Sequence, residues 1–173
     1  MRNIEKLMIL LALVAFVISA PAFAAVTHTG TTSAKIVVVT EVNAQITSSG
    51  TYVDLPGAAV SITVPAGKFQ LVQARFTAES YCFGPSSFNW CTVQIVAVGT
   101  AGTTQMLPDS GFDFAFDAVG NADDAWEGHA MDRSLVLGGG TYIVKAQWAV
   151  TDINSTFRLD DWSFTVTQYN SGR

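Results

Sequence analysis

Charged residues are scarce in this 173-residue sequence, where Asp, Glu, Lys and Arg together make up 13% of the chain, about half of their usual share in soluble domains. The nine lysines and arginines are spread along the chain, which excludes the clustered basic surface that nucleic-acid binding requires. Apolar residues make up 49% of the chain, so an intrinsically disordered protein is excluded as well. The sequence therefore predicts one folded domain of moderate size with a net charge of −5.

Cysteine is equally scarce, because Cys82 and Cys91 are the only two in the chain. A structural zinc site needs more thiols or nearby histidines, and a redox pair needs the spacing C-x-x-C, so neither is predicted. In an exported protein an even number of cysteines is typical of disulfide bonds. Residues 84–87 between them are Gly, Pro, Ser and Ser, which favour a turn. We therefore predict a Cys82–Cys91 disulfide that staples a loop or hairpin.

The N-terminal residues have the composition of a secretory signal peptide. Arg2 and Lys6 precede an apolar stretch at residues 7–20, and small residues at positions 22 and 24 then provide a cleavage site. We predict a signal peptide at residues 1–24 and a secreted protein, extracellular or periplasmic, with no membrane association after cleavage. The alternative is a retained membrane anchor, because the uncharged stretch continues beyond residue 24 and about 20 apolar residues can span a bilayer.

Alternation of apolar and polar residues dominates the rest of the chain. Phe112, Phe114 and Phe116 share one face of a predicted strand, and Asp113 and Asp117 share the other. Further strands are predicted at residues 35–42, 44–48, 58–64, 69–79, 90–98, 129–137, 141–150 and 162–167. The side chains predicted to point into the core are Phe112, Phe114, Phe116, Tyr142, Val144, Trp148, Phe164 and Val166.

Clusters of glycine, proline and serine separate these segments, and no helical period is long enough to connect parallel strands. The predicted fold is therefore all-β, an antiparallel two-sheet β-sandwich with a jelly roll as the favoured arrangement. We expect an N-terminal lead-in and first strand at residues 25–40, followed by a single β-sandwich domain at residues 41–173.

Three short motifs carry a resemblance to known proteins. Pro65-Ala66-Gly67 precedes a long predicted strand, Gly140-Thr141-Tyr142 opens the penultimate strand, and Phe157-Arg158-Leu159-Asp160-Asp161-Trp162 opens the last. With these motifs the chain resembles a group of secreted bacterial β-sandwich proteins. Its strand-and-turn layout is similar to the jelly roll of the tumour-necrosis-factor and complement globular-head families. The resemblance implies an extracellular binding module, often a trimer, with no shared catalytic residues.

Acidic residues are concentrated between positions 109 and 127. Calcium prefers carboxylate and carbonyl oxygens in a loop, so Asp117, Asp123, Asp124 and Glu127 are candidate calcium ligands, although their spacing is not that of an EF-hand. The alternative is a solvated strand face followed by an acidic turn, which is ordinary in a protein of this charge. No other cofactor is expected.

Aromatic residues are the other candidates for binding. Tyr81, Phe88 and Trp90 flank or lie within the predicted disulfide loop, and Trp126 lies in the acidic segment. Exposed rings can stack on sugars or anchor a protein partner, because they provide a large contact area at a low entropy cost. The alternative is that Phe88 and Trp90 fold inward and cap the end of the sandwich.

A hydrolase would need a serine, a base and an orienting acid within reach of one another. His129 and Asp132, with Ser134 or Ser110, are the only candidates that the sequence suggests. Alternation places His129 and Asp132 on opposite faces of a strand. We therefore predict no catalytic residue, and we interpret His129 as a strand histidine whose polar atoms are satisfied by neighbours.

Together these features indicate a secreted, non-enzymatic structural or interaction module. Rigidly held loops or one sheet face would contact an extracellular protein or a glycan, and formation of a homo-oligomer is a further expectation. The alternatives are a carbohydrate-binding module or adhesin, and a polysaccharide-acting enzyme, which would need carboxylates that converge in a cleft.

Overall fold

The computed structural model describes residues 25–31, 34–109, 114–120 and 126–170. The predicted signal peptide lies outside these residues, as do Ser110, Phe112, Asp113, Asp123 and Asp124. The described residues form no helix that could cross a membrane. They form nine β-strands: β1 (Ala25–Thr31), β2 (Ala34–Glu41), β3 (Gln45–Thr47), β4 (Val53–Phe83), β5 (Trp90–Gly99), β6 (Gly102–Gln105), β7 (Asp117–Ala118), β8 (Glu127–Val150) and β9 (Thr156–Tyr169).

The strands pair in antiparallel fashion, and hydrogen bonds join them into one continuous sheet in the order β1-β2-β9-β4-β8-β5-β6. In addition, β3 pairs with β9 and β7 pairs with β5. The prediction of an all-β, antiparallel fold is confirmed. The predicted lead-in contributes to the same sheet, because β1 pairs with β2 and β2 pairs with β9. The domain boundary at residues 40 and 41 stays a prediction.

β4 and β8 are unusually long, at 31 and 24 residues, and they bend together. Residues 53–64 lie beside residues 140–148, residues 69–80 lie beside residues 127–138, and residues 65–68 bulge opposite Gly139. A Cβ atom on Gly139 would lie 2.9 Å from both the Cα of Ala66 and the carbonyl oxygen of Pro65. Only glycine allows the two backbones to approach this closely. The predicted turn after residue 64 is therefore a bend within one strand.

The bend divides the sheet into two groups of strands that share one core. The first group consists of residues 53–64 and 140–150 with β5 and β6, and the second of residues 69–83 and 127–138 with β9, β2 and β1. The rings of Trp148 in the first group and Phe157 in the second have centroids 5.7 Å apart. Buried side chains of both groups form a single cluster, so the two groups contribute to one shared core.

Alternation predicted most of this core correctly. Phe116, Val144, Trp148, Phe164 and Val166 are all buried. Buried residues recur at every second residue from 144 to 148 in β8 and from 162 to 168 in β9, as the pleat of a strand requires.

Phe114 and Tyr142 are corrections to the predicted core, because both are only partly buried and pack at its margin. The guanidinium of Arg133 lies over the Phe114 ring, 4.6 Å from its centroid. The Tyr142 hydroxyl donates a hydrogen bond to the Gly138 carbonyl oxygen at 3.0 Å. Alternation identifies the face on which a side chain lies, but it does not distinguish the centre of that face from its edge.

A bulge in β9 moves its buried face from odd to even positions. Phe157 and Leu159 are buried before the bulge, and Trp162 and Phe164 are buried after it. The pairing with β4 shifts by one residue at this point. Asp161 takes a φ of 44° there, in the left-handed region that aspartate tolerates better than most residues. The motif that opens the last predicted strand is therefore a bulge within β9.

Truncation of Phe76 tests the shared core. Phe76 is fully buried, and its ring lies against those of Phe116, Trp162 and Phe164, so Phe76→Ala should lower the free energy of unfolding by about 3–5 kcal/mol. Phe88→Ala is the matched control, because the same atoms are removed from a side chain that is 86% exposed, and it should cost less than about 0.5 kcal/mol. Urea denaturation measures both variants, and equal losses would contradict the assignment of Phe76 to the core.

Candidate functional site

The predicted disulfide is present, and it joins the two groups of strands. Cys82 lies at the end of β4 opposite Phe157, and Cys91 lies at the start of β5 opposite Val150. The Cα atoms of the two cysteines are 5.8 Å apart. The bond closes the loop at residues 83–90, as expected. Its two ends belong to strands that do not pair with each other, so the bond also joins the two groups of strands.

Beside the disulfide, aromatic side chains line the outer face of the second group. Ser80 and Cys82 are buried, so Tyr81 and Phe83, which alternate with them, point away from the core. The Tyr81 ring stacks on Phe83 with centroids 6.2 Å apart, and it contacts Trp126 at 5.9 Å. Trp126 is 41% exposed and Phe83 is 56% exposed. We call Tyr81, Phe83, Trp126 and Arg158 the aromatic strip.

Arg158 completes the aromatic strip from the neighbouring strand. It lies directly opposite Tyr81 in the pairing of β9 with β4, and its guanidinium carbon is 4.6 Å from the centroid of the Trp126 ring. Its Nη2 atom is 3.6 Å from Oδ2 of Asp160. A cation over a tryptophan face is attracted by the quadrupole of the neutral ring, whose face is partially negative, so the Arg158 guanidinium places a positive charge beside Trp126. On the far side of Arg158 the strip is continued by Ile46, its partner in β3.

The disulfide loop itself places its two aromatic residues differently. Phe88 projects into solvent at the turn, which contradicts the alternative that it caps the sandwich. Trp90 is partly buried, and its backbone N–H donates a hydrogen bond to Thr151 Oγ1 at 3.0 Å. Next to it, Asn89 Nδ2 donates to Asp152 Oδ2 at 3.0 Å. Hydrogen bonds from the backbone N–H of Asn154, and from side-chain amides, hold the pKa of Asp152 below its ordinary value.

A second cluster lies on the inner side of the same strand ends. Asp117, Glu127 and His129 each offer one ligand atom, and these atoms lie within 4.8 Å of one another. Asp117 comes from β7, which pairs with the first group, whereas Glu127 and His129 come from the start of β8 in the second group. The Phe116 ring packs against His129 with centroids 5.6 Å apart. We call Asp117, Glu127 and His129 the carboxylate–histidine cluster.

Ser80 determines which nitrogen of the His129 ring faces Glu127. The Ser80 hydroxyl donates to Asp117 Oδ2 at 2.7 Å, because an ionised carboxylate can only accept. Its one proton is then used, so in the 2.8 Å contact between Ser80 Oγ and His129 Nδ1 the ring nitrogen donates. Nε2 is therefore the nitrogen that lies 3.5 Å from Glu127 Oε2.

The sequence-predicted metal ligands are only partly brought together. Asp117 and Glu127 converge, and Asp123 and Asp124 lie outside the described residues. Asp117 does not lie on a solvated strand face as expected, because it is half-buried and accepts a hydrogen bond from a buried serine. His129 was not predicted to join these carboxylates. Ser80 was missed as well, although a polar residue at a core position, between Ala78 and Cys82, is a signal in the sequence.

Within the described residues, which do not include Ser110, His129 does not come together with Asp132 and Ser134 as a serine hydrolase would require. His129 lies on the buried side of β8 with Met131, whereas Asp132 is exposed on the opposite side across from Arg75, as alternation predicted. Ser134 lies further along β8, where its backbone pairs with Leu107. The hydroxyl that His129 does contact belongs to Ser80, which is completely buried. A buried hydroxyl cannot reach a substrate.

Comparisons with known proteins identify no family. No family model and no curated protein matches the chain. Among solved structures, the chain is similar to one in the structure of infectious bursal disease virus Gx strain, with 11% identity and a TM-score of 0.38, over 80% of this chain and 33% of that chain. It is also similar to the CBM22-1 xylan-binding domain from Paenibacillus barcinonensis Xyn10C, with 11% identity and a TM-score of 0.31, over 80% and 74% of the two chains. The chain thus spans about a third of the length of the viral chain. Similarities at 11% sequence identity assign no function to this chain.

Reduction of the disulfide should measure its contribution to stability. The Cys82–Cys91 bond closes a short loop, and the chain-entropy model gives about 2–3 kcal/mol for a ring of this size. The urea midpoint of the wild-type protein should therefore fall when a reductant is added. The double variant C82A/C91A is the control, because its midpoint should already be low and should not respond to reductant. An unchanged wild-type midpoint would contradict the expectation.

Proposed function

We propose that this protein is a secreted, non-enzymatic binding module and that the aromatic strip is its recognition surface for a carbohydrate. The observation that carries the proposal is the contact of Tyr81 with Trp126 on an outer sheet face, with Arg158 fixed over the Trp126 ring. Large rings that stay partly exposed on a rigid sheet provide a preformed apolar platform. The apolar face of a sugar ring packs well on such a platform.

Polar groups around the aromatic strip suit the hydroxyl groups of a sugar. Arg158 presents guanidinium donors, and Asp160 presents carboxylate acceptors within 3.6 Å of them. Glu79 lies opposite Asp160 on the same face and is exposed. An apolar platform with a few fixed donors and acceptors is the usual composition of a small-molecule binding site, because the polar groups set the orientation of the ligand.

Secretion is supported by the predicted signal peptide together with the disulfide. Disulfides persist in oxidising compartments and are rare in reducing ones. The proposed absence of catalysis is supported by the burial of Ser80 beneath His129.

The expected resemblance to the jelly roll of the tumour-necrosis-factor and complement globular-head families also remains a proposal. The antiparallel pair of β4 and β8, which runs through both groups of strands, supports it. That resemblance implies binding, often in trimers, and is consistent with a sheet face as the recognition surface.

Self-association is a second candidate function, favoured by an apolar patch at the other end of the same outer face. Leu71 and Val136 lie opposite each other in the pairing of β4 with β8, and both are exposed. Phe69, two residues before Leu71 on the same strand, is exposed, and so is Leu107, whose backbone pairs with Ser134 of β8. Adjacent apolar side chains on a flat sheet face are typical of an interface, and we propose a second copy of this chain as the partner.

Substitution of Trp126 tests the carbohydrate proposal. Trp126→Ala removes one ring of the aromatic strip and the support of Arg158, so affinity for the bound polysaccharide should fall by at least about tenfold, as expected when an aromatic anchor worth about 1.4 kcal/mol or more is lost. Affinity gel electrophoresis against a panel of soluble polysaccharides measures this. Phe69→Ala is the matched control, because it truncates an exposed ring at the opposite end of the face. The proposal fails if no polysaccharide retards the wild type, or if both variants bind as the wild type does.

Light scattering tests self-association separately. The wild-type protein should form an oligomer at micromolar concentration, and Leu71→Lys should yield monomers, because a charge cannot be buried unpaired in an apolar interface. A wild-type protein that is monomeric at every concentration would exclude this second candidate.

A further inference from the structure

We propose that the carboxylate–histidine cluster binds a divalent metal ion of the zinc class through Asp117, Glu127 and His129. The site is distinct from the aromatic strip, because Glu127 and His129 lie on the face of β8 that Ser80 shares, opposite to the face that carries Trp126. Their ligand atoms already lie within 4.8 Å of one another. Small side-chain rotations would bring them to the distances of about 2.0–2.2 Å from a common ion that zinc requires.

The His129 ring is oriented as a metal-binding histidine is. A ligating histidine usually donates its second ring N–H to a neighbouring acceptor, which fixes the tautomer and the ring plane. Here Nδ1 donates to the completely buried Ser80 hydroxyl, which in turn donates to Asp117. One buried hydroxyl therefore orients two of the three ligands, and it leaves Nε2 directed at Glu127.

The second nitrogen of the ring faces one of the carboxylates. His129 Nε2 lies 3.5 Å from Glu127 Oε2, and Asp117 offers a further ligand atom within 4.8 Å. A metal ion between the three side chains would contact the nitrogen and both carboxylates at once.

Charge balance also favours a cation. Asp117 and Glu127 bring two carboxylates to one place, and in the part of the chain that the structure describes neither is paired with a lysine or an arginine. Asp117 Oδ1 is bonded to the backbone N–H of Ala118 at 2.7 Å and Oδ2 to Ser80, and each oxygen keeps a second lone pair for a metal. A divalent ion would neutralise the two carboxylates.

The donor set selects zinc over calcium. Calcium is held by six to eight oxygen atoms and does not favour an imidazole nitrogen, whereas zinc accepts histidine and carboxylate ligands in tetrahedral sites. Three protein ligands leave one position for water. The ion would also link β7 to the start of β8, and so would tie the two groups of strands together beside Trp126.

Zinc titration of the untagged protein tests the proposal. After dialysis against a chelator, calorimetry with zinc chloride should show one site per chain with micromolar or tighter affinity, and the melting temperature should rise with zinc. Cobalt(II) should give the visible absorption of a tetrahedral site, and millimolar calcium should not compete. The measurement uses no carbohydrate, so its outcome is independent of the aromatic strip.

Two ligand variants and one matched control complete the test. His129→Asn and Glu127→Gln should each weaken zinc binding by at least tenfold. The Glu127 side chain is 65% exposed, so that variant should keep its fold even if His129→Asn does not. Asp132→Asn removes a carboxylate from the opposite face of the same strand and should bind zinc as the wild type does. The proposal is overturned if the wild type does not bind zinc, if Glu127→Gln binds it equally well, or if Asp132→Asn loses binding.

Discussion

The close approach of two backbones at Gly139 is the constraint on which the remaining architecture depends. A Cβ atom built at this position would lie 2.9 Å from the backbone of Pro65 and Ala66. Because glycine has no Cβ atom, β4 can bulge close to the backbone of β8 at this point. The long strand pair thereby continues from one group of strands into the other, and its pairing is interrupted at residues 65–68 and resumes at Phe69. Each group is then completed by strands that add to one half of this pair, and buried side chains of both groups form one core.

The sequence predicts the strands and their faces well because the pleat has a strict period of two residues. It predicts the bends less well, because glycine and proline clusters mark both the end of a strand and a bulge within it. Residues 65–67 have the composition of a turn, yet the pairing with β8 continues on both sides of them. Phe114 and Tyr142 lie at the margin of the core. The alternation of apolar and polar residues does not predict this, because it identifies the face of a strand but not where the neighbouring strands end.

For the candidate sites, too, the local sequence pattern identifies individual residues, but it does not predict which of them strand pairing brings together. Tyr81 and Trp126 were both identified as candidate binding residues, but they are far apart in the chain, and only the pairing of Ser80 with Glu127 brings them together. Phe88, which is much closer to Tyr81 in sequence, projects instead from the tip of the disulfide loop. The role of Ser80 likewise depends on long-range pairing, because its two partners come from β7 and β8.

Trp126 and Glu127 are consecutive residues at the start of β8, and this places the two candidate sites back to back. Successive side chains of an extended backbone point to opposite faces, so Trp126 lies on the aromatic strip while Glu127 points toward Asp117 and His129. A contact that fixes Glu127 on the inner side also limits the rotation of the backbone that carries Trp126. The position of Trp126 on the recognition surface therefore depends on the contacts that Glu127 makes with His129 and Asp117, because both sites share this one stretch of backbone.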